Sequence, residues 1–442
     1  MRLVQVGLSA CIILCLSNVT CMGQLRGERP ELIQVTDRVY SAVGYSLGNI
    51  LYVLTDDSMV VIDTSESPDA AKASLAEMRR ISQLPISHII YTHFHGDHIN
   101  GARSFRSGEK SSVAIIAQQE HDRELLMFQK LRPYNTRLNA IQFGAALPKR
   151  DATLELALDP ARPVIGYLRP TEKFDAEYRF QQGGVQFELY HTQGETSDHL
   201  MVWLPESKVL FPGDLFYHSF PMLSSPMKHD RPVLQWAESL DRMRGLNPEH
   251  LVPSHTRPLN GAQHIETVLE NYAAAIRYVH DETLSCINRG LSVEQARQAV
   301  QLPDHLSNLP YLSELYGKVA WSVNGIYRQY TGWYDMVPAH LNPGPVNSLH
   351  QAIAQAAGGA ATLYEQARKA QQQADYQLAL ELLTIALGAE PKHAKCHRLA
   401  AEVLRQMAQR STNGVEKNVY LVAAQEHQQA AGDSVSSDAE EP

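Results

Sequence analysis

Thr92-His93-Phe94-His95-Gly96-Asp97-His98 packs three imidazoles and a carboxylate into one short stretch. It follows Ile86-Ser87-His88-Ile89-Ile90-Tyr91, an apolar run of strand length that Pro85 bounds upstream. Ligands placed where a buried strand gives way to a loop are held by the sheet yet open to solvent, as a catalytic metal site requires. Neutral imidazole and carboxylate suit Zn²⁺ and similar divalent ions. A lone histidine here would read as an ordinary polar loop residue. The HxHxDH spacing instead offers two ligand sets side by side, the requirement for a two-metal site.

The chain around this stretch has 442 residues, too long for one ordinary core, so two or more domains are expected. Hydrophobic residues at 44% and charged ones at 20% are the proportions of a soluble globular protein. A formal net charge of −9 argues against a nucleic-acid or anionic-membrane surface, while leaving room for a local basic pocket. Residues 1–23 are a different material: Arg2 precedes an apolar core from Val6 to Leu16, with small and weakly polar residues following. That is a secretory signal, too short for stable membrane insertion, and it implies a periplasmic or secreted protein. Leu8-Ser9-Ala10-Cys11 resembles a lipoprotein signal but arrives too early for a full hydrophobic core, so lipid anchoring is a minor alternative. Cys11, Cys15 and Cys21 lie in this leader, which leaves Cys286 and Cys396 and no disulfide framework.

Outward from the motif, Ile33 to Val43 and Asn49 to Asp63 read as short strands, the latter turning at Asp56-Asp57-Ser58. Pro68 opens an amphipathic helix to Ile81. Residues 120–172 carry basic and aromatic side chains (Lys130, Arg132, Tyr134, Arg137, Phe143, Arg150) and read either as a solvated insertion or as a lid over the metal site. Phe174 to Phe180 and Val185 to Thr192 read as a hairpin about Gly183-Gly184. Further on, Gly194-Glu195-Thr196-Ser197-Asp198-His199, Pro212-Gly213-Asp214 and Val252-Pro253-Ser254-His255 each set polar residues beside a short apolar strand. Strands and helices in this order suit a sheet covered by helices.

A strand followed by HxHxDH, with later carboxylate and histidine ligands, resembles the metallo-β-lactamase superfamily. The resemblance implies an α/β fold, the αββα sandwich, over residues 30–260. It also implies a two-Zn²⁺ centre in which His93, His95 and Glu195 hold one ion, Asp97, His98 and His255 the other, and Asp214 lies between them. Asp198 and His199 compete with Glu195 for the ligand position; the register of Gly194-Glu195-Thr196-Ser197 favours Glu195. Three carboxylates would offset three of the four charges of two Zn²⁺, so binding of an anion needs pocket cations, for which Lys228, His229, Arg231 and Arg257 are nearest in sequence.

Residues 262–410 read as helical. A long pattern runs from Gln263 to Asn288, Ser292-Val293-Glu294-Gln295 is a capping box, and a further helix spans Leu312 to Tyr330. Ala361 to Leu387 and Pro391 to Arg410 resemble tetratricopeptide units. The acidic end, 431–442, reads as disordered. Glu195, together with Gly332-Trp333-Tyr334-Asp335 and Leu341-Asn342-Pro343, is similar to the alkyl sulfatases with their all-α dimerisation domain. That resemblance implies a homodimer and a zinc hydrolase of sulfate esters acting on anionic amphiphiles, primarily linear alkyl sulfates. Asp97 would be catalytic as well as a ligand, and His229 would be a candidate general acid. A lactonase, esterase or phosphodiesterase on the same metals is the alternative, and a non-catalytic scaffold a third reading.

Overall fold

The computed structural model describes residues 29–106, 112–145, 147 and 166–432. The expected leader, residues 1–23, lies outside the described residues, as does the acidic end from 433 onward. Strands β1 (Glu31–Gln34), β2 (Val39–Val43), β3 (Ile50–Leu54), β4 (Met59–Ile62), β5 (Ile86–Ile90), β6 (Ala114–Gln118) and β7 (Glu172–Phe174) form one sheet in chain order. The first four are antiparallel, and β4 to β7 are parallel. A second sheet runs β8 (Glu177–Gln182), β9 (Val185–His191), β10 (Leu200–Leu204), β11 (Val209–Phe211), β12 (His250–Leu251) and β13 (Leu259–Asn260).

Phe174 does not belong to the expected hairpin. It closes β7 of the first sheet, buried beside β6, and the chain bends at Asp175-Ala176 to start β8 in the other sheet. The inner faces meet in one apolar layer, with Leu51, Val60, Ile62 and Ile90 against Phe187, Leu189, Val202 and Phe211. Burial on both faces explains why the parallel strands read as continuous apolar runs. Outside the first sheet lies helix α1 (Pro68–Ile81), whose Ser67 cap accepts from the Ala70 amide. The short α2 (Gly96–Ile99) follows β5, and the pair α3 (His121–Lys130) and α4 (Arg132–Gln142) follows β6. Outside the second sheet lies α5 (Val233–Gly245).

Helix α6 (Ala262–Asn288) shares that outer core: Leu269, Tyr272 and Ile276 pack in the same cluster as Trp236 and Leu240 of α5 and Trp203 of β10. The helical region therefore grows out of the sandwich's own outer layer. Helix α7 (Val293–Ala299) begins at the expected capping box, with Ser292 and Gln295 bonded reciprocally. After α8 (Asp304–Ser307), helix α9 (Val319–Thr331) starts seven residues later than the expected Leu312. Residues 313–318 stay irregular because Gly317 lies under the Phe220 and Pro221 carbonyls, where a Cβ would come within 2.2 Å of an oxygen. Helices α10 (Pro338–Leu341), α11 (Val346–Ala356), α12 (Ala360–Gln372), α13 (Tyr376–Ala389) and α14 (Ala394–Arg410) follow. Helix α15 (Gly414–Ala430), which the sequence reading left out, runs beyond Arg410. The result is an α/β sandwich of two sheets between helical layers, followed by an all-helical region.

Candidate metal centre

The ligand motif begins where β5 ends. Thr92 is held by Asp63 at the end of the neighbouring parallel strand: its amide and hydroxyl donate to Asp63 Oδ1 at 2.8 and 3.0 Å. His95 then starts α2, which places Asp97 and His98 in one helical turn. Glu195 sits in the loop between β9 and β10, Asp214 in a short 3-10 turn after β11, and His255 beyond β12. Gly213 precedes Asp214 at φ +58, where a Cβ would lie 2.4 Å from His199 Nε2, so the turn needs glycine on both counts. Asn49 fastens the His255 loop, its side chain donating to the Pro253 and Thr256 carbonyls at 3.0 Å each.

These loops bring together two groups that could each hold an ion: His93, His95, Glu195 and Asp214 in one, and Asp97, His98 and His255 in the other. Within each, the ligand atoms lie within 4.8 Å of one another. Asp214 Oδ2 stands 3.7 Å from His93 Nε2, 3.5 Å from His98 Nε2 and 3.0 Å from His255 Nε2, and so faces both groups. His95 Nδ1 lies 3.5 Å from Glu195 Oε1, and Asp97 Oδ2 lies 3.4 and 3.5 Å from His98 and His255.

The opposite ring nitrogens are engaged elsewhere, which fixes the tautomers. His98 Nδ1 donates to Asp63 at 2.8 Å and His255 Nδ1 to the Leu47 carbonyl at 2.9 Å, and His93 Nδ1 lies 3.1 Å from Thr92 Oγ1. His199, the competitor for the ligand position, is turned away. Its Nε2 accepts from the Asp214 amide at 3.1 Å and its Nδ1 pairs with Thr192 Oγ1 at 2.7 Å. Burial pushes its pKa down to about 3, so it supports the Asp214 turn as a neutral ring. Asp198 pairs with buried His121 at 3.0 Å.

Charge and donor chemistry both fit a divalent ion. Burial, with neighbouring imidazoles added for His93 and Lys228 for His95, holds both rings well below their ordinary pKa, in the neutral ligating form. At His98 and His255 burial works the same way, but Asp214 and Asp97 overcome it, lifting His98 well above its usual value and His255 to about 9. The carboxylates thus draw positive charge to the centre. His98 Nε2 and Asp214 Oδ1 are buried without a hydrogen-bond partner among the described residues, an arrangement that is costly unless an ion takes them. The residues present fit a metal pair.

A cavity of about 560 Å³ opens onto this cluster, walled by Leu47, Phe94, Leu125, Phe128 and Phe143. Helices α3 and α4 contribute to that wall, the position of a lid. Lys228 and Arg231 line it, Lys228 with its ammonium 5.9 Å above the Phe143 ring. Arg231 is buried and committed: it donates to Glu195 and, at 2.6 Å, to the Met222 carbonyl. His229 is exposed and lines an adjoining outer groove rather than the cavity. Arg257 is not brought to the site; it pairs with Glu31 at the surface, 2.5 Å away. Sequence reasoning missed Asp63, Tyr217 and Tyr316. Asp63 had a faint signal as the acid ending an apolar strand. Tyr316 is held at the cavity by contacts distant in sequence: Asn413 donates to its carbonyl at 2.8 Å across 97 residues, its amide donates to Ser219 Oγ at 3.1 Å, and its hydroxyl accepts from Gln142 at 3.1 Å.

Residues 43–255 match the metallo-beta-lactamase superfamily, and residues 292–430 match the alkyl sulfatase dimerisation family. A linear primary-alkylsulfatase of a Pseudomonas strain is 32% identical over 84% of this chain and 72% of its own length. The alkyl/aryl-sulfatase BDS1 of Saccharomyces cerevisiae is 25% identical over 90% of this chain and 64% of its own. This chain thus spans about two-thirds of the length of these relatives. In fold it is similar to a stereoselective inverting sec-alkylsulfatase from Pseudomonas sp., with a TM-score of 0.83 at 23% identity, covering 91% of this chain and 66% of the other. With its candidate metal-ligand loops in an αββα sandwich and its helices in a region that matches the dimerisation family, the chain belongs to the alkyl sulfatase family of the metallo-β-lactamase superfamily.

Proposed function

We propose that this protein is a two-metal hydrolase of sulfate esters, acting on linear alkyl sulfates as an exported homodimer. The observation that carries this reading is an apolar cavity lined by five of the seven candidate ligands, His95, Asp97, Glu195, Asp214 and His255, with Lys228 beside them. The names of the relatives support the substrate class, and the nitrogen and oxygen donors support zinc. Two Zn²⁺ bound there would supply Lewis acidity toward sulfate oxygens and a water that loses its proton near neutral pH.

The chain's own residues do the rest. Phe94, Leu125, Phe128 and Phe143 take the alkyl chain, a burial that stabilises by roughly 0.8 kcal/mol per CH₂. The Lys228 ammonium pairs with the sulfate oxygens as negative charge builds on them. Burial works against the Asp97 charge, but His98 and His255 keep the carboxylate ionised, so it accepts a hydrogen bond from the attacking water and orients it. Arg231 holds Glu195 in place from the protein side. The dimer would close over the exposed apolar side chains of the helical region, Trp333, Met336, Val346 and Leu349. The leader at residues 1–23 supports export.

The test is a panel: dodecyl sulfate, nitrophenyl acetate, a simple lactone and a nitrophenyl phosphate diester, each with metal-loaded and chelated protein. Turnover of dodecyl sulfate well above the others, lost on chelation, is expected. Preference for the acetate, lactone or phosphate would overturn the sulfate assignment.

A further inference from the structure

The helix pair α3–α4 does more than wall the cavity. Met127, Leu131 and Tyr134 are 49%, 43% and 52% exposed, and together they line a groove of about 980 Å³. That groove shares Phe94, His95, Phe128 and Lys228 with the metal cavity, so it is a second opening to the same site. From Leu126 to Ala145 the sequence has no acidic residue and three cations, Lys130, Arg132 and Arg137, in a chain whose net charge is −9. All three are exposed, Arg132 at the rim of the metal cavity, and no ion pair engages them among the described residues. The pair is a firm platform: Asn135 Nδ2 donates to the Phe128 carbonyl at 3.0 Å across the corner, Asp122 pairs with Lys173 at 2.8 Å, and Glu124 accepts from Ser197 at 2.8 Å.

Exposed large apolar side chains beside three cations, on a helix pair whose two acids, Asp122 and Glu124, lie in the first turn of α3 and are bonded to Lys173 and Ser197, are the chemistry of an interfacial anchor: the apolar groups enter an acyl layer while the cations meet anionic headgroups. We propose that the α3–α4 face docks onto micelles of anionic amphiphile, so that single molecules pass from the aggregate through the groove into the cavity. Charge complementarity and the shared residues of groove and cavity select this occupant over a second copy of the chain, whose dimer face we place around Trp333 and Leu349. Choosing a micelle of substrate-like amphiphiles rests on the sulfate-ester reading. The docking itself needs no turnover.

The test uses the full chain and mixed micelles of a nonionic detergent doped with an alkanesulfonate, whose carbon–sulfur bond is not hydrolysed. Co-elution of protein with micelles should rise with sulfonate content and stay weak with nonionic micelles alone. The pair Lys130→Gln and Arg137→Gln should weaken association by about fivefold per cation removed. The triple variant Met127→Ser, Leu131→Ser, Tyr134→Ser should weaken it at least tenfold, with the circular dichroism spectrum unchanged. No association, association indifferent to sulfonate, or full association in both variants would overturn the proposal. So would a fall in oligomeric mass in the triple variant, which would assign the face to a second copy. An enzyme that binds these micelles but leaves alkyl sulfates intact would sink only the sulfate-ester reading.

Discussion

Asp63 accepts from Thr92, His98 and Ser254 while itself fully buried, so it orients the ring of one candidate ligand, His98, and ties together two candidate ligand loops. Asp63→Asn would turn an amide N–H toward donors that need an acceptor. Metal affinity or turnover should fall by roughly 10–100-fold, read by metal titration and kinetics at saturating zinc. Arg231 is the second such residue. Arg231→Met leaves Glu195 buried, with its carboxyl already pushed up to about 7 by burial against the pull of Arg231. Breaking that pair should cost about 3–5 kcal/mol in the metal-free protein, measured by denaturant unfolding, and zinc should recover part of it. Lys228 offers a pH signature. Burial first, then neighbouring Arg231, lowers its amine below the usual lysine range. Only the protonated amine binds an anion, so kcat/KM for an alkyl sulfate should decline as pH rises through that lowered value. Lys228→Arg should shift the decline upward.

At the scale of elements, what the sequence made legible was local. Four segments in which a polar ligand loop adjoins a short apolar strand could be read without knowing which strands pair, because strand length and loop chemistry are written in neighbouring residues. The role of Asp63 could not, since it comes from the parallel pairing of β4 with β5 across the intervening α1. Arg257 looked available because Glu31, its partner, lies 226 residues away. The α9 boundary failed because a tertiary contact at Gly317, not helix propensity, decides where the chain stays irregular. Helix α15 makes a similar distant contact: buried Asn418 donates to the Gln142 carbonyl at 2.9 Å, at the end of α4, and Val415 packs with Phe143 of the cavity wall. Asn418→Ala should therefore cost about 1–3 kcal/mol, seen as a lower Tm. It should also raise KM for long alkyl sulfates more than for short ones, because the wall that grips the chain is loosened.

For the whole molecule, the helical region is part of the enzyme's construction rather than an appendage, since α6 shares the outer core of the second sheet and Tyr316 enters the cavity. It also carries the exposed apolar patch, with Trp333 and Met336 at 70% and 78% exposure. Substituting Trp333→Ser with Leu349→Asp should convert the proposed dimer to monomer in sedimentation velocity, with the metal complement retained in each chain. Metal analysis of the purified chain, paired with zinc titration of the stripped protein, measures whether the seven candidate ligands hold two ions. The prediction is about two Zn²⁺ per chain, both lost or sharply weakened in Asp214→Asn, the residue that faces both groups. A wild-type chain that binds no zinc, or an Asp214→Asn chain that holds zinc as tightly as wild type, would contradict it.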